Sequence, residues 1–315
     1  MAWFRRRSSP ESENAPSADS TVESHDVARP PPRFASPPPS VPHAPPPVSN
    51  LVPFDLWGQR GWPQTEVSGE SFYADSFRAL VGRRLRTEGE ELYIDVELVR
   101  EPHNPHDRNA IAVIARGHPV GHIPREIATI YASTFDEFAS RGLVPRVAAR
   151  IWVGERGDWE TTSDGGSRMT APRVVARVSV DLPDLHMLTP RNAPPAVAHR
   201  ELPAGRTVQI SGEDMFMDAL CPYLCDEGEC WVYTTLEEAE GMTARSKPVT
   251  AVLLDGRRVG QLTPKMSEEF LPAIRYLAER NQLTVGRAIV KGNHLKADVT
   301  LYAARTGELP SSWLE

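Results

Sequence analysis

His103, His106, His118 and His122 crowd into one short stretch with Asp107 among them. A His-x-x-His pair beside a carboxylate is a donor set that zinc or manganese accepts, and a metal-bound water there would be a hydrolytic nucleophile. Short histidine spacings are permissive, though, and an imidazole is equally a flat polar ring. The cysteines form a second group, Cys221, Cys225 and Cys230. Structural zinc takes four ligands, and His199 and His294 are distant along the chain, so reduced thiols without metal are expected. Asn104, Pro105, Asp107 and Asn109 are favoured turn formers, and an Asp107 carboxylate is able to accept from its own loop backbone. The sequence contains neither a Gly-x4-Gly-Lys-Ser/Thr loop nor a Gly-x-Ser-x-Gly elbow. A binding protein rather than an enzyme is the leading expectation, with no cofactor.

The elements that must hold these residues are legible as periodicities. Leu92, Ile94, Val96 and Leu98 alternate with Tyr93, Asp95 and Glu97, the period of a half-buried strand. A loop follows over Pro102 to Asn109, and the apolar run Ala110 to Ala115 is the strand that returns from it. Pro124 suits a first helical position, and Ile127, Ile130, Tyr131, Thr134 and Phe138 fall on one face before Gly142. Val144 to Val153 and Val174 to Val180 read as further strands, joined by a long hairpin loop from Gly154 to Thr170. Phe72 and Tyr73 alternate along another strand, which puts one ring in the core and one outside. Many short strands and one helix predict a mainly β fold with α (α+β): a small, OB-like, partly open β-barrel with a packed helix.

The order of features occurs twice. Ser68-Gly69-Glu70, Phe72, Ala112-Val113 and Val120-Gly121 are matched by Ser211-Gly212-Glu213, Phe216, Ala251-Val252 and Val259-Gly260. Equal spacing from Ala-Val to Val-Gly in both points to two tandem modules. The expected organisation is an arm over residues 1–50, a first domain over 51–182, a linker over 183–202, a second, degenerate domain over 203–305 and a tail over 306–315. In the second copy Thr243, Ala244, Arg245 and Ser246 fall where Asn104 to Asp107 stand, so its carboxylate is lost.

Composition limits the partners. Much of the proline, 30 residues in all, lies in the arm, which is expected to be extended and disordered and to suit protein partners as a polyproline ligand. A formal net charge of −7 over 315 residues argues against coating DNA by bulk attraction, so a nucleic-acid site must be a local patch. With no long apolar span and no signal-peptide core, a cytoplasmic protein without membrane contact is expected.

The run from Val96 through Asn104-Pro105-His106-Asp107 and Asn109-Ala110 to Val113, followed by Val120-Gly121-His122-Ile123-Pro124, resembles the HIRAN domain. The match comprises the Asn-Pro-x-Asp turn, the Asn-Ala-x-x-Val strand and the Val-Gly strand end before a helix, and extends from about Ser68 to Val180. HIRAN domains stand alone in bacteria or accompany remodelling ATPases, and the best-understood member grips the 3′ end of single-stranded DNA. That resemblance implies that Phe72, Tyr73 and His106 stack on terminal bases, that Asp107 accepts from the 3′-hydroxyl and that Arg125 meets phosphate, with Asn104 and Asn109 among the nucleic-acid-binding residues. Two positions depart from the end-binding pattern: Ser71 replaces an arginine and His106 a tyrosine. Losing the arginine removes a phosphate contact, so affinity falls or the ligand differs.

The function so implied is binding of single-stranded nucleic acid or DNA ends, in DNA repair or genome maintenance. A metal-dependent hydrolase acting on nucleotides or nucleic acid through His103, His106, Asp107 and His122 is the rival. The third reading is a protein-interaction adaptor working through the arm or the second repeat.

Overall fold

The computed structural model describes residues 50–157, 159–161, 165–240 and 247–313, so the expected arm and the stretch at 243–246 lie outside the described residues. After β1 (Val52–Asp55) and β2 (Thr65–Glu66), Gly69 takes a left-handed φ of 84°. It turns the chain into a 3-10 turn, Glu70–Phe72, and then α1 (Ala74–Val81). The expected strand through Phe72 and Tyr73 is therefore absent. Phe77 and Leu80 bury one side of α1, and Gly82 closes it with a φ of 67°. The division of the two rings holds nonetheless: Phe72 is 56% exposed and Tyr73 buried at 7%.

β3 (Glu90–Arg100), β4 (Ile111–Ala115) and β5 (His118–His122) form a meander that leads into α2 (Arg125–Ser140). β6 (Leu143–Arg156) and β9 (Arg173–Val180) then complete the sheet, and a separate hairpin of β7 (Trp159–Thr161) and β8 (Ser167–Met169) fills the long loop between them. The strand order is β2-β9-β6-β3-β4-β5, with β1 parallel on β6. On α2 the buried side is Ala128, Tyr131, Ala132, Phe135 and Phe138, whereas Ile130 is 58% exposed. The Tyr131, Phe135, Phe138 spacing wins because it keeps every large ring on the sheet side at i, i+4 and i+7.

A second sheet follows: β10 (His199–Glu201), β11 (Thr207–Gln209), α3 (Met217–Leu220), β12 (Glu229–Ala239), β13 (Val249–Leu254), β14 (Arg257–Gln261), α4 (Pro264–Ala278), β15 (Leu283–Asn293) and β16 (Lys296–Tyr302). Its order, β11-β16-β15-β12-β13-β14 with β10 parallel on β15, repeats the first strand by strand. Details repeat too. Arg116-Gly117 and Asp255-Gly256 are paired left-handed hairpin turns, and Glu70 and Glu213 each accept from a backbone amide, of Val178 and Val299. The protein is thus mainly β, two curled sheets each with a helix packed on it around its own core. Among the described residues no helix is long and apolar enough to cross a membrane.

Gly121 shows how tightly the meander closes. A Cβ there would strike the Val67 side chain and stand 2.8 Å from the Ser68 carbonyl, at a φ of 149°. Ser68 and His122 exchange backbone hydrogen bonds of 2.8 Å across this point. Gly121→Ala is expected to cost about 2–3 kcal/mol through overpacking and strain, and chemical denaturation checks it. Gly117→Ala, in open space, serves as control for the positive φ alone.

The two sheets meet within one unit, His43–Glu315. Trp57, inside the range expected for the first domain, lies with Met187 against Trp231 of the second, all three buried. Its ring stands 5.8 Å from Trp231 and 4.6 Å from Tyr233, both edge-on, with the Arg287 guanidinium 4.3 Å from its centroid. Phe54 does pack on the first core, against Phe138, while Trp62 is 68% exposed. Within 183–202, Leu188 belongs to the first core and His199–Glu201 to the second sheet.

Candidate nucleic-acid interface

The loop between β3 and β4 is fixed from within. Glu101, 3% exposed at its start, accepts from Asn104 Nδ2 at 2.7 Å and stands 3.0 Å from His122 Nε2. Asn104 Oδ1 accepts the amides of His106 (2.9 Å) and Asp107 (3.3 Å), and Asp107 Oδ1 accepts that of Asn109 (2.8 Å). These are Asx turns, the local bonding that favours Asn and Asp in such loops. Arg100 braces the loop from behind, donating to the carbonyls of Ala110, Arg108 and Ala132 and to Asp136. Asn109 Nδ2 reaches Thr129 Oγ1 at 3.5 Å.

The far side of the loop is held by α2. Arg125, its first residue, donates through Nε to Asp107 Oδ2 at 3.1 Å and through Nη2 to the His106 carbonyl at 2.9 Å. The Arg125 side chain is 67% exposed and that of Asp107 20%, so the pair stands at the surface. At the other end His122 Nδ1 lies 3.4 Å from the Tyr73 hydroxyl. Burial, then the nearby Glu101 charge, pushes the Tyr73 hydroxyl pKa up, so it stays protonated and able to donate. One chain of polar contacts therefore runs from Tyr73 through His122, Glu101 and Asn104 to Asp107 and Arg125. His106 and Phe72 are left solvent-facing beside it.

Of the residues singled out in the sequence, this network joins Tyr73, Asn104, His106, Asp107, Asn109 and Arg125. Phe72 enters only as the neighbour of Tyr73. Sequence reasoning missed Arg100 and Glu101, because a charged pair entering a loop reads as surface. It also weighed His122 as a metal ligand, whereas both its ring nitrogens face Glu101 and Tyr73. Among the described residues, no group of three or more His, Cys, Asp or Glu side chains stands where it could hold a metal ion.

The cysteines need one correction. His294, distant in sequence, is carried by the β15–β16 turn to 3.9 Å from Cys221 Sγ. Cys225 and Cys230 donate instead to the carbonyls of Glu229 (3.2 Å) and Tyr223 (3.1 Å). Burial pushes the Cys230 thiol up to about 12, so it carries almost no thiolate at neutral pH. A thiol reagent at neutral pH is expected to label Cys221 and Cys225 of the native protein and to reach Cys230 only after denaturation. Equal labelling rates for all three would contradict this.

Comparison with known proteins bears on the same segment. Residues 75–153 match the family model described as the HIRAN domain. Among solved structures, the crystal structure of the HIRAN domain of human HLTF aligns at 19% identity, covering 37% of this chain and 73% of that one, with a TM-score of 0.18. Comparison with curated proteins gives no match. The matched segment spans nearly all of α1, the meander, the braced loop, α2 and most of β6, so the protein carries a HIRAN domain, a nucleic-acid-binding module, over residues 75–153.

Proposed function

We propose that this protein binds single-stranded nucleic acid, DNA ends above all, through the surface formed by Phe72, Tyr73, Asn104, His106, Asp107, Asn109 and Arg125, in DNA repair or genome maintenance. The observation that carries the reading is the contrast within the site. The amides of His106, Asp107 and Asn109 are bonded to side chains within the loop, while the flat rings of Phe72 and His106 and the Arg125 guanidinium face solvent. Exposed rings beside a guanidinium suit stacked bases and a phosphate. Asp107 retains free lone pairs on both oxygens after accepting from Asn109 and Arg125, so a terminal hydroxyl still finds an acceptor.

The second sheet, read as a copy of the same module over 203–305, serves as backing through the Trp57 cluster, and the expected tail over 306–315 contributes Trp313 to its core. Fluorescence anisotropy of labelled strands tests the reading. A single strand with a 3′-hydroxyl should saturate at low salt, and a blunt duplex should bind far more weakly. Absence of any binding at low salt would overturn the proposal and favour a protein-interaction role.

A further inference from the structure

The side of the first sheet that faces away from its core carries Tyr93 on β3, Arg150, Trp152 and Arg156 on β6, and Arg177 on β9. They are lateral neighbours, since Tyr93 pairs with Arg150 and Trp152 with Arg177. A groove of about 800 Å³ is lined by Arg150, Trp152, Arg156 and Arg177 and reaches Val67 and Glu70. There the turn Glu70–Phe72 begins, which presents Phe72 to solvent and leads into Tyr73. The groove therefore reaches the start of the turn that carries the exposed Phe72 ring.

The basic groups in the groove are set in place. The Arg156 guanidinium lies 4.9 Å from the Trp152 ring centroid and donates to the carbonyls of Thr87 (3.1 Å) and Glu88 (3.5 Å). Arg150 pairs with Glu91 at 2.5 Å. Arg177 is exposed and, among the described residues, makes no ion pair. Glu66 and Glu70 stand toward the turn, the latter accepting from the Val178 amide.

The matching face of the second sheet is closed. Ala149 and Ala288 hold the same register, each paired with a residue that is itself paired with the short edge strand. Ile289 thus stands where Arg150 does, and Trp231 where Tyr93 does. That apolar version is covered by Trp57 and Met187. The charged version is left open.

We propose that a bound single strand continues from the end site along this face, with phosphates over Arg150, Arg156 and Arg177 and a base on Trp152. The inference rests on the proposed strand-binding function. The six steps from Arg150 to Arg156 span roughly 20 Å at the rise of a strand, which fits a polyanion rather than a single small anion. Glu66 and Glu70 repel phosphate and accept from base amino groups, so they hold the strand backbone over β6 and β9.

The test compares 3′-hydroxyl thymidine strands of about four and about twelve nucleotides on the full chain over a salt series. The longer strand should bind at least tenfold tighter, with a steeper salt dependence. Arg177→Ala should lower that slope by about 0.7, the single-strand increment per phosphate, and leave the short strand unaffected. Arg177→Lys should restore the slope. Equal affinity and slope for both lengths would refute the groove while the end site stood. Failure of both lengths to bind would remove both readings. A poly-glutamate peptide that displaces the long strand from the wild type but not from Arg177→Ala would assign the face to acidic protein segments instead.

Discussion

Trp57→Ala is expected to lower the stability of the folded unit by about 3–5 kcal/mol, the range for truncating a buried tryptophan. The ring is 6% exposed and touches partners from both sheets, so its loss empties the joint between them. It also strands the Arg287 guanidinium, which stacks on it while pairing with Glu201. For a body of this size the loss corresponds to roughly 6–20 °C in melting midpoint. Calorimetry should show more than a shift: each sheet keeps its own core, so one transition should resolve into two. Trp231→Ala should give a similar effect, and the double variant should lose much less than the sum because both remove one contact. A change below about 0.5 kcal/mol would mean that the aromatic cluster does not couple the sheets.

Asp107→Ala should weaken binding of a 3′-hydroxyl single strand ten- to a hundredfold, the equivalent of about 1.5–3 kcal/mol for a hydrogen bond to a charged group. Placing a phosphate on that end should cost the wild type at least as much, because it sets a dianion against the carboxylate, yet cost the variant little. The structure adds a control. Asp107 also accepts from the Asn109 amide and from Arg125, so the substitution removes two loop bonds along with the acceptor; amide exchange at Asn109 separates the two effects. Arg125→Ala should instead weaken all strands alike and flatten the salt dependence by about 0.7, the single-strand increment for one phosphate contact. Equal wild-type affinity for hydroxyl and phosphate ends would rule out end recognition and leave a general single-strand surface.

Much of the fold was legible because its strands are amphipathic or apolar throughout. Val96 and Leu98 were read as inward from alternation alone, and Ile111 to Ala115, buried at every position, from an unbroken apolar run. The Phe72-Tyr73 error has a physical cause. Alternation over two residues does not tell a strand from a turn, and the deciding signal was the left-handed glycine before them. Gly82 and the Phe77, Leu80 spacing would have disclosed α1. The site was legible as a list and not as a network: the turn formers were named, but Glu101 joins them to His122 and Tyr73 only after β3 and β5 are folded side by side with β4 between them. His294 makes the same point, since distance along the chain says nothing once a hairpin has turned back.

The covered face of the second sheet also bears on association between copies of the chain. A docking mode in which one module's flanking segment seats on the next module's outer face is head-to-tail, and such contacts, once repeated, give open-ended chains of molecules. The first sheet offers the corresponding face, but with Arg150 in place of Ile289 and Tyr93 in place of Trp231. A tryptophan-bearing segment from another copy would have to strip water from guanidinium groups to settle there. Charge on that face therefore disfavours such docking, and a variant carrying Arg150→Ile with Tyr93→Trp is expected to self-associate more than the wild type, which light scattering checks.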